Sequence, residues 1–243
     1  MTLHHHPALD DVQALVFDVF GTLVDWRTGI AREARKALAT HAPALDGDAF
    51  ADAWRAQYQP TMEKVRSGLI PFSKLDLLHR RNLDQVLQDF GLDDVPAATR
   101  ADLNRAWHRL DAWPDVGPGL ARLRQRYRIA PCSNGNISLM VDLARRNGWH
   151  WDAILGAEVA RDYKPKPVVY LTAAAAFDCA PAQTLMVAAH SSDLAAAAAA
   201  GLRTAFIARP DEHGPGLGEQ RASVAVDLSA RSLTGLADSL GCD

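Results

Sequence analysis

A short apolar run that ends on a carboxylate is the feature that most constrains how this 243-residue chain can fold. Residues 14–17 (Ala-Leu-Val-Phe) are apolar at every position, which is typical of a strand buried on both faces of a parallel sheet. Asp18 follows directly, and a Gly21-Thr22 turn comes shortly after it. Ligand sites of open α/β sheets lie beyond the carboxyl ends of the strands, so Asp18 stands where a nucleophile would be. For this motif alone, an aspartate that only caps the turn is the alternative.

Composition and charge exclude several classes of protein. The chain is 48% hydrophobic with a formal net charge of −3, which suits one α/β core with a smaller insertion. No basic run suggests a nucleic-acid or membrane-surface partner, and no apolar run approaches the roughly 20 residues of a membrane span. Cys132, Cys179 and Cys242 lack C-x-x-C spacing, so neither a disulfide framework nor a zinc site is indicated. We therefore expect a cytoplasmic protein. The terminal run 4–6 (His-His-His) either binds metal adventitiously or is inert, and the second is the commoner case for such a run.

The rest of the chain divides into a helical stretch and an alternation of strands and helices. Residues 26–111 carry apolar positions at helical spacing, broken by turn signals, which predicts several helices. Beyond them, the predicted strands are 128–132, near 154–155, 184–188 and 204–207. A predicted helix precedes each of them, and a Pro/Gly-rich tail follows the last. This order is typical of a doubly wound parallel sheet. We expect an α/β core formed by residues 10–25 and 112–243, with residues 26–111 as an inserted helical domain.

Polar side chains follow the predicted strands at four places. They are Asp18, the pair Ser133-Asn134, Lys164 and Asp193. Because the carboxyl ends of parallel strands meet at one edge of the sheet, these side chains are expected to form a single site.

These motifs, taken in order, resemble those of the haloacid dehalogenase superfamily. The motifs are D-x-F-G-T-L-V-D from Asp18 to Asp25, S-N-G at 133–135, Y-K-P at 163–165, and a strand followed by Asp193. Each is weak alone, but the four together, at ordinary spacings, cover nearly the whole chain. The resemblance implies a Rossmann-like α/β core and makes the helical insertion a cap domain.

Two departures from the superfamily pattern bear on the reaction. Its magnesium-dependent phosphatases carry D-x-D, where the second aspartate acts as acid and base, and this chain has Phe20 there. Their fourth motif places an aspartate ligand where this chain has Ala189, and Mg²⁺ depends on such oxygen ligands. A phosphatase is therefore disfavoured. The same departures match the L-2-haloacid dehalogenases, which the chain also resembles in the Trp54-Arg55 pair of the cap.

That branch implies a metal-free displacement on a short 2-haloalkanoate. Asp18 attacks the halogen-bearing carbon and forms an ester, with inversion of configuration, while Arg55 takes the departing halide. An arginine on a solvated helix surface is the alternative for Arg55. Water then opens the ester at the Asp18 carboxyl, assisted by Asp193, with Lys164 as a further candidate for this role.

The remaining site residues are assigned by the same resemblance. Ser133 and backbone N–H groups of the first loop, beginning at Val19, are expected to hold the substrate carboxylate. Thr22, Asn134 and Lys164 are expected to position Asp18, with the lysine also keeping it ionised.

For five further side chains the sequence leaves two roles open. Phe20, Trp54 and Phe72 either wall and dry the pocket or belong to the core. Tyr170, six residues after the motif lysine, either acts directly or is a half-buried helix residue. His190 departs from better-known dehalogenases and either donates a hydrogen bond to halide or water, or only covers the strand end.

The sequence thus predicts a hydrolytic dehalogenase acting on small chloro-, bromo- or, as an open case, fluoro-carboxylates. The expected partners are this substrate and a halide ion, with no nucleic acid and no membrane. The oligomeric state stays open, with a homodimer as one option. A magnesium-dependent phosphate-ester hydrolase and a non-catalytic ligand-binding protein are the rivals.

Overall fold

The computed structural model describes residues 9–243, so the histidine run at 4–6 lies outside the described residues. Its strands are β1 (Ala14–Phe17), β2 (Arg128–Ser133), β3 (Leu155–Gly156), β4 (Thr184–Ala188), β5 (Arg203–Ile207) and β6 (Leu228–Ala230). All pairings between them are parallel, and the strand order is β3-β2-β1-β4-β5-β6. The chain therefore builds outward from β1 in one direction and then in the other, which confirms the predicted doubly wound α/β sheet.

The other regular elements of residues 9–243 are mostly helices. They are α1 (Trp26–Ala37), α2 (Gly47–Ala56), α3 (Tyr58–Arg66), α4 (Leu75–Asp89), α5 (Ala97–Asn104), α6 (Val116–Leu123), α7 (Ile137–Asn147), α8 (Ala157–Ala160), α9 (Pro167–Ala175), α10 (Ser191–Ala199) and α11 (Leu233–Ser239). Short 3-10 turns lie at Arg105–Arg109 and Pro181–Gln183. No helix among residues 9–243 has the length and apolar character needed to cross a membrane.

Strand β1 is buried on both faces, as its uniformly apolar sequence predicts. Leu15 and Phe17 belong to the apolar layer that contains α6, α7 and α11, whereas Ala14 and Val16 face the layer that contains α9 and α10. The residue after Phe17 is therefore held at a rigid strand end in the middle of the sheet.

The chain leaves the sheet layer before the inserted helices α1 to α5 and returns to it after them, at a neighbouring point. The Asp25 backbone N–H donates to the Asp111 carbonyl, and the Trp113 N–H donates to the Leu23 carbonyl, both at 3.0 Å. At the first of these points the Asp25 side chain accepts from the Thr28 N–H and caps α1. The division into a core and a cap domain at residues 25 and 112 stays a prediction, and these paired segments are where such a hinge would lie.

The C-terminal region is more regular than its sequence predicts. The Pro/Gly-rich tail ends in strand β6, which pairs with β5, and in helix α11, which packs on α6. Both elements are short and weakly patterned, and contacts with their neighbours stabilise them more than local preference does.

Candidate active site

Four polar residues predicted from strand ends line one cavity of about 630 Å³ at the carboxyl edge of the sheet. Asp18 follows β1, Asn134 follows β2, Lys164 lies in the loop before α9, and Asp193 lies in the first turn of α10. The cavity has the size typical of a small-molecule site. Phe20 and the inserted helices cover it, and Arg55 reaches it from α2.

Asp18 is held as a carboxylate at the base of this cavity. Its Oδ1 accepts from Lys164 Nζ at 2.9 Å, and its Oδ2 accepts from Thr22 Oγ1 at 2.8 Å and lies 3.1 Å from His190 Nδ1. The Ala189 N–H donates to Thr22 Oγ1, which directs the threonine hydroxyl proton toward Asp18. Burial alone would raise the pKa of Asp18, but Lys164 and His190 outweigh it and hold the pKa well below its usual range. The group is therefore ionised at neutral pH.

Lys164 links the two carboxylates of the site. Its Nζ also donates to Asp193 Oδ2 at 2.5 Å, and its backbone N–H donates to Asn134 Oδ1 at 2.8 Å. Burial opposes the ammonium form, but the charges of Asp18 and Asp193 raise the pKa of Lys164 well above its usual value. Tyr170 donates from its hydroxyl to Asp193 Oδ1 at 2.5 Å. Lys164 and Tyr170 therefore fix both oxygens of Asp193, the predicted base.

Arg55 presents an unfilled donor to the cavity. Its Nη1 is buried and has no hydrogen-bond partner, and among residues 9–243 no carboxylate lies within ion-pair distance of its guanidinium. The guanidinium lies over the ring of Tyr58, 4.1 Å from the ring centre, and 5.2 Å from that of Trp26. A stacked guanidinium whose buried Nη1 has no hydrogen-bond partner is suited to binding an anion that enters the cavity.

His190 lies between two carboxylates. Its Nδ1 faces Asp18, and its Nε2 lies 3.0 and 2.9 Å from the two oxygens of Glu212. Burial lowers the pKa of His190, but its hydrogen bonds to Asp18 and Glu212 outweigh burial and raise the pKa to about 10. The ring is therefore an imidazolium at neutral pH. Glu212 also accepts from Trp26 Nε1 at 3.0 Å.

Ser133 and Val19, predicted to bind the substrate carboxylate, do not line the cavity. Ser133 is fully buried at the end of β2, and its Oγ accepts from the Gly135 N–H at 3.0 Å, which fixes the loop that carries Asn134. The side chain of Val19 is buried in the core. The proposed carboxylate-binding role of these two residues stays a prediction.

Of the aromatic residues predicted to wall the pocket, only Phe20 lines it. Trp54 is buried between the inserted helices, and its Nε1 donates to the His79 carbonyl at 3.1 Å. Phe72 packs against Tyr163, with their ring centres 5.5 Å apart. Trp54 therefore supports the helix that carries Arg55 and does not itself face the cavity.

Sequence reasoning missed Tyr58 and Glu212. Tyr58 lies three residues after Arg55, and this spacing places it on the same side of the helical segment. Glu212 follows β5, so the rule that located the other strand-end residues applies to it as well. The cavity mouth adds further polar residues that the sequence did not single out: Gln59, Glu63, Arg66, Lys166, Ser192 and His213.

Within the part of the chain that the structure describes, no group of three or more His, Cys, Asp or Glu side chains could hold a metal ion. Where a phosphatase has its two extra carboxylates, Phe20 lines the cavity and Ala189 donates only its backbone N–H to Thr22. Metal independence stays a prediction.

The fold and site define a class: doubly wound α/β hydrolases with a lysine-paired aspartate at the end of the first strand. The family model of haloacid dehalogenase-like hydrolases matches residues 12–201. The chain belongs to this family.

Named relatives are similar along most of their length. The (S)-2-haloacid dehalogenase 1 of Pseudomonas sp. (strain CBS-3) is 30% identical over 210 residues, which cover 83% of this chain and 86% of that protein. The crystal structure of the defluorinating L-2-haloacid dehalogenase Rha0230 is 44% identical, with a TM-score of 0.94, covering 99% of this chain and 100% of the other. That of the L-2-haloacid dehalogenase PA0810 is 42% identical, with a TM-score of 0.90, covering 95% and 99%.

Proposed function

We propose that the protein hydrolyses short-chain 2-haloalkanoic acids to 2-hydroxy acids through a covalent ester on Asp18, without a metal ion. The observation that carries this proposal is the ionised carboxylate of Asp18 in one cavity with the unpaired guanidinium of Arg55. A nucleophile and an anion acceptor are the two groups that displacement of a halide requires. The names of the relatives support the substrate class, and Rha0230 adds fluorinated acids to the substrates worth testing.

In the first step, a carboxylate oxygen of Asp18 bonds to C2 of the substrate as the carbon–halogen bond breaks. The halide leaves with the bonding electron pair, and the configuration at C2 is inverted. The guanidinium of Arg55 offsets the negative charge that develops on the halide, and this is worth most in a cavity from which water is excluded. Lys164 and Thr22 hold the attacking carboxylate in place through the hydrogen bonds described above.

In the second step, water attacks the carbonyl carbon of the ester, and Asp193 accepts its proton. Asp193 is suited to this role because its hydrogen bonds from Lys164 and Tyr170 fix its orientation beside Asp18. Collapse of the intermediate releases the hydroxy acid, whose new hydroxyl oxygen comes from Asp18.

Arg55 lies on the inserted helix α2, whereas Asp18 lies on the sheet, so the cavity is complete only with the helices over the sheet. We propose that these helices are a cap domain that closes on the substrate. Arg66, on α3, supports this arrangement because its Nη1 donates to the Lys164 carbonyl at 2.9 Å, across the cavity mouth. A cytoplasmic location and a homodimer stay predictions from the sequence.

Single-turnover hydrolysis of chloroacetate or L-2-chloropropionate in ¹⁸O-labelled water tests the covalent route. We expect the label to enter the Asp18 carboxyl before it enters the product. The variant Asp18→Asn should release no halide, since an amide is a poor nucleophile, while the surface variant Asp94→Asn should behave like the parent. Label found only in the product of the first turnover would contradict the ester.

A further inference from the structure

His190 and Glu212 form a buried, hydrogen-bonded pair. A histidine that only covers a strand end would not need such a partner. Glu212 is 2% exposed and receives hydrogen bonds from both His190 and Trp26. The carboxyl packs against the first loop at Gly21, where an added Cβ would lie 2.1 Å from Glu212 Oε1. Only glycine therefore leaves room for Glu212 beside the loop that carries Asp18.

The two oxygens of Asp18 have different surroundings. Oδ2 faces the hydroxyl of Thr22 and the imidazolium of His190, whereas Lys164 is the one hydrogen-bond donor to Oδ1 among residues 9–243. Each donor withdraws electron density from the oxygen it contacts, so Oδ1 is the freer nucleophile. Once Oδ1 has formed the ester, Oδ2 is its carbonyl oxygen and keeps the Thr22 hydroxyl and the His190 imidazolium beside it.

We propose that His190 and Thr22 stabilise the oxyanion that forms on Oδ2 during hydrolysis of the Asp18 ester, and that Glu212 is the residue that positions His190. The inference rests on the proposed function. Both ring nitrogens of His190 already face carboxylates, which favours a role at Asp18 over a role at the halide. A hydroxyl donor and an adjacent imidazolium, both held beside an oxygen where charge develops, provide the stabilisation of an oxyanion hole.

The electrons and protons of this step balance as follows. Water bonds to Cγ of Asp18, its proton passes to Asp193, and the carbonyl π pair moves onto Oδ2. As the pair returns, the Cγ–Oδ1 bond breaks, and the departing alkoxide takes the proton back from Asp193. The regenerated Asp18 carboxyl then loses its remaining proton to solvent.

The charge of His190 depends on several neighbouring groups. Asp18 and Glu212 contact the ring directly and favour the imidazolium. His213 lies 3.7 Å from Glu212, and Arg55 also acts on that carboxylate, so both weaken the negative charge that faces the ring. Lys164 acts from the far side of Asp18. The net result is a pKa for His190 of about 10, so the ring should stay charged across the usual assay range.

The first experiment separates the two half-reactions in the variant His190→Gln, which removes the imidazolium that faces Asp18 Oδ2. With chloroacetate in excess, rapid quench should show a burst of one halide per site, followed by turnover slowed about 10²- to 10³-fold, as for loss of an oxyanion-hole donor. Intact-mass analysis should show the ester accumulated on Asp18. Loss of the burst would place His190 in the first step and overturn the inference, as would turnover equal to that of the parent. The exposed-residue variant His150→Gln serves as the control.

The second experiment tests Glu212 through the charge of His190. In Glu212→Gln the imidazolium loses one of its two carboxylates, so its pKa should fall toward the ordinary 6.5. In the ester Asp18 is uncharged, so Glu212 is the carboxylate that still faces the ring of His190. Ester hydrolysis in Glu212→Gln should therefore decline at a lower pH than in the parent, by about tenfold per pH unit above the pKa of the ring. A pH profile identical to that of the parent would overturn the positioning role.

A double variant completes the test. If Glu212 acts only through His190, adding Glu212→Gln to His190→Gln should slow ester hydrolysis no further. Independent, multiplying losses would instead indicate a separate role for Glu212 and overturn the proposal. Should His190→Gln fail to fold, the pH profile of Glu212→Gln decides alone. A parent enzyme that releases no halide from any 2-haloacid refutes the proposed function itself, an outcome distinct from all of these.

Discussion

Removing the guanidinium of Arg55 should abolish most of the activity without destabilising the protein. In Arg55→Ala, the halide would develop its charge in a cavity that lacks the buried Nη1 donor of Arg55. By comparison with loss of an electrostatic donor elsewhere, kcat/KM should fall about 10²- to 10³-fold, which corresponds to about 2.7–4 kcal/mol of transition-state stabilisation. Arg55→Lys should recover only part of the rate, because an ammonium lacks the planar fork and its stacking.

The stability of this variant follows from two opposing contributions. The substitution removes the cation–π contacts of Arg55 with Tyr58 and Trp26, about 0.5–2 kcal/mol each. It also removes a buried N–H group without a partner, which relieves about 1–3 kcal/mol. The two contributions nearly offset each other, so the free energy of unfolding should change by about 1 kcal/mol or less.

Steady-state halide release and urea unfolding, measured on the same preparations, check both expectations. Arg35→Ala is the matched control, because Arg35 is an exposed arginine of the inserted helices that pairs with Asp48 on the surface. It should leave turnover unchanged and alter stability by no more than about 0.5 kcal/mol. Near-parent turnover in Arg55→Ala would refute the halide-binding role. A large loss of stability would refute the expectation that the lost cation–π contacts and the removed unpaired N–H group offset each other.

Three further outcomes are expected. EDTA should leave halide release unchanged, and activity that is lost in chelator and restored by Mg²⁺ would reinstate the phosphate-ester reading. Tyr170→Phe removes a hydrogen bond to Asp193 and should lower kcat about tenfold with little change in KM; an unchanged kcat would assign the tyrosine to packing. Burial lowers the pKa of His108, but Asp76 and Asp142 outweigh it and raise the pKa, so its stabilisation is fully present below about pH 6.5 and is lost as pH rises through the raised value. Urea unfolding against pH should show this loss in the parent and not in His108→Gln.

The sequence by itself determined the sheet and the ends of its strands. The central strands are mostly apolar and buried on both faces, which favours a parallel sheet covered by helices on both sides, and parallel order follows from the intervening helices. The sequence alone therefore places four polar residues at one edge of the sheet: Asp18, Asn134, Lys164 and Asp193. This inference needed only local pattern and the geometry of parallel strands.

The inserted helices were predictable as helices, but not in their packing. Trp54 and Arg55 are neighbours in sequence, but adjacent residues of a helix point in different directions. Trp54 is buried among the inserted helices, and Arg55 lines the cavity. Which side of α2 faces the sheet depends on how α1 to α5 pack over the core, and helical periodicity leaves that choice open. The same uncertainty affected Phe72, which lies against Tyr163 and away from the cavity.

Only the tertiary structure decided the partners of His190. A histidine at a strand end is compatible with a surface position, a halide contact or an ion pair, and the choice depends on a carboxylate supplied by a loop that carries no regular pattern. Glu212 reaches His190 because β5 lies beside β4 in the sheet and Gly21 leaves space for its side chain. Charge in a buried site depends on such contacts between distant segments, because burial and Coulomb interactions act through space and not along the chain.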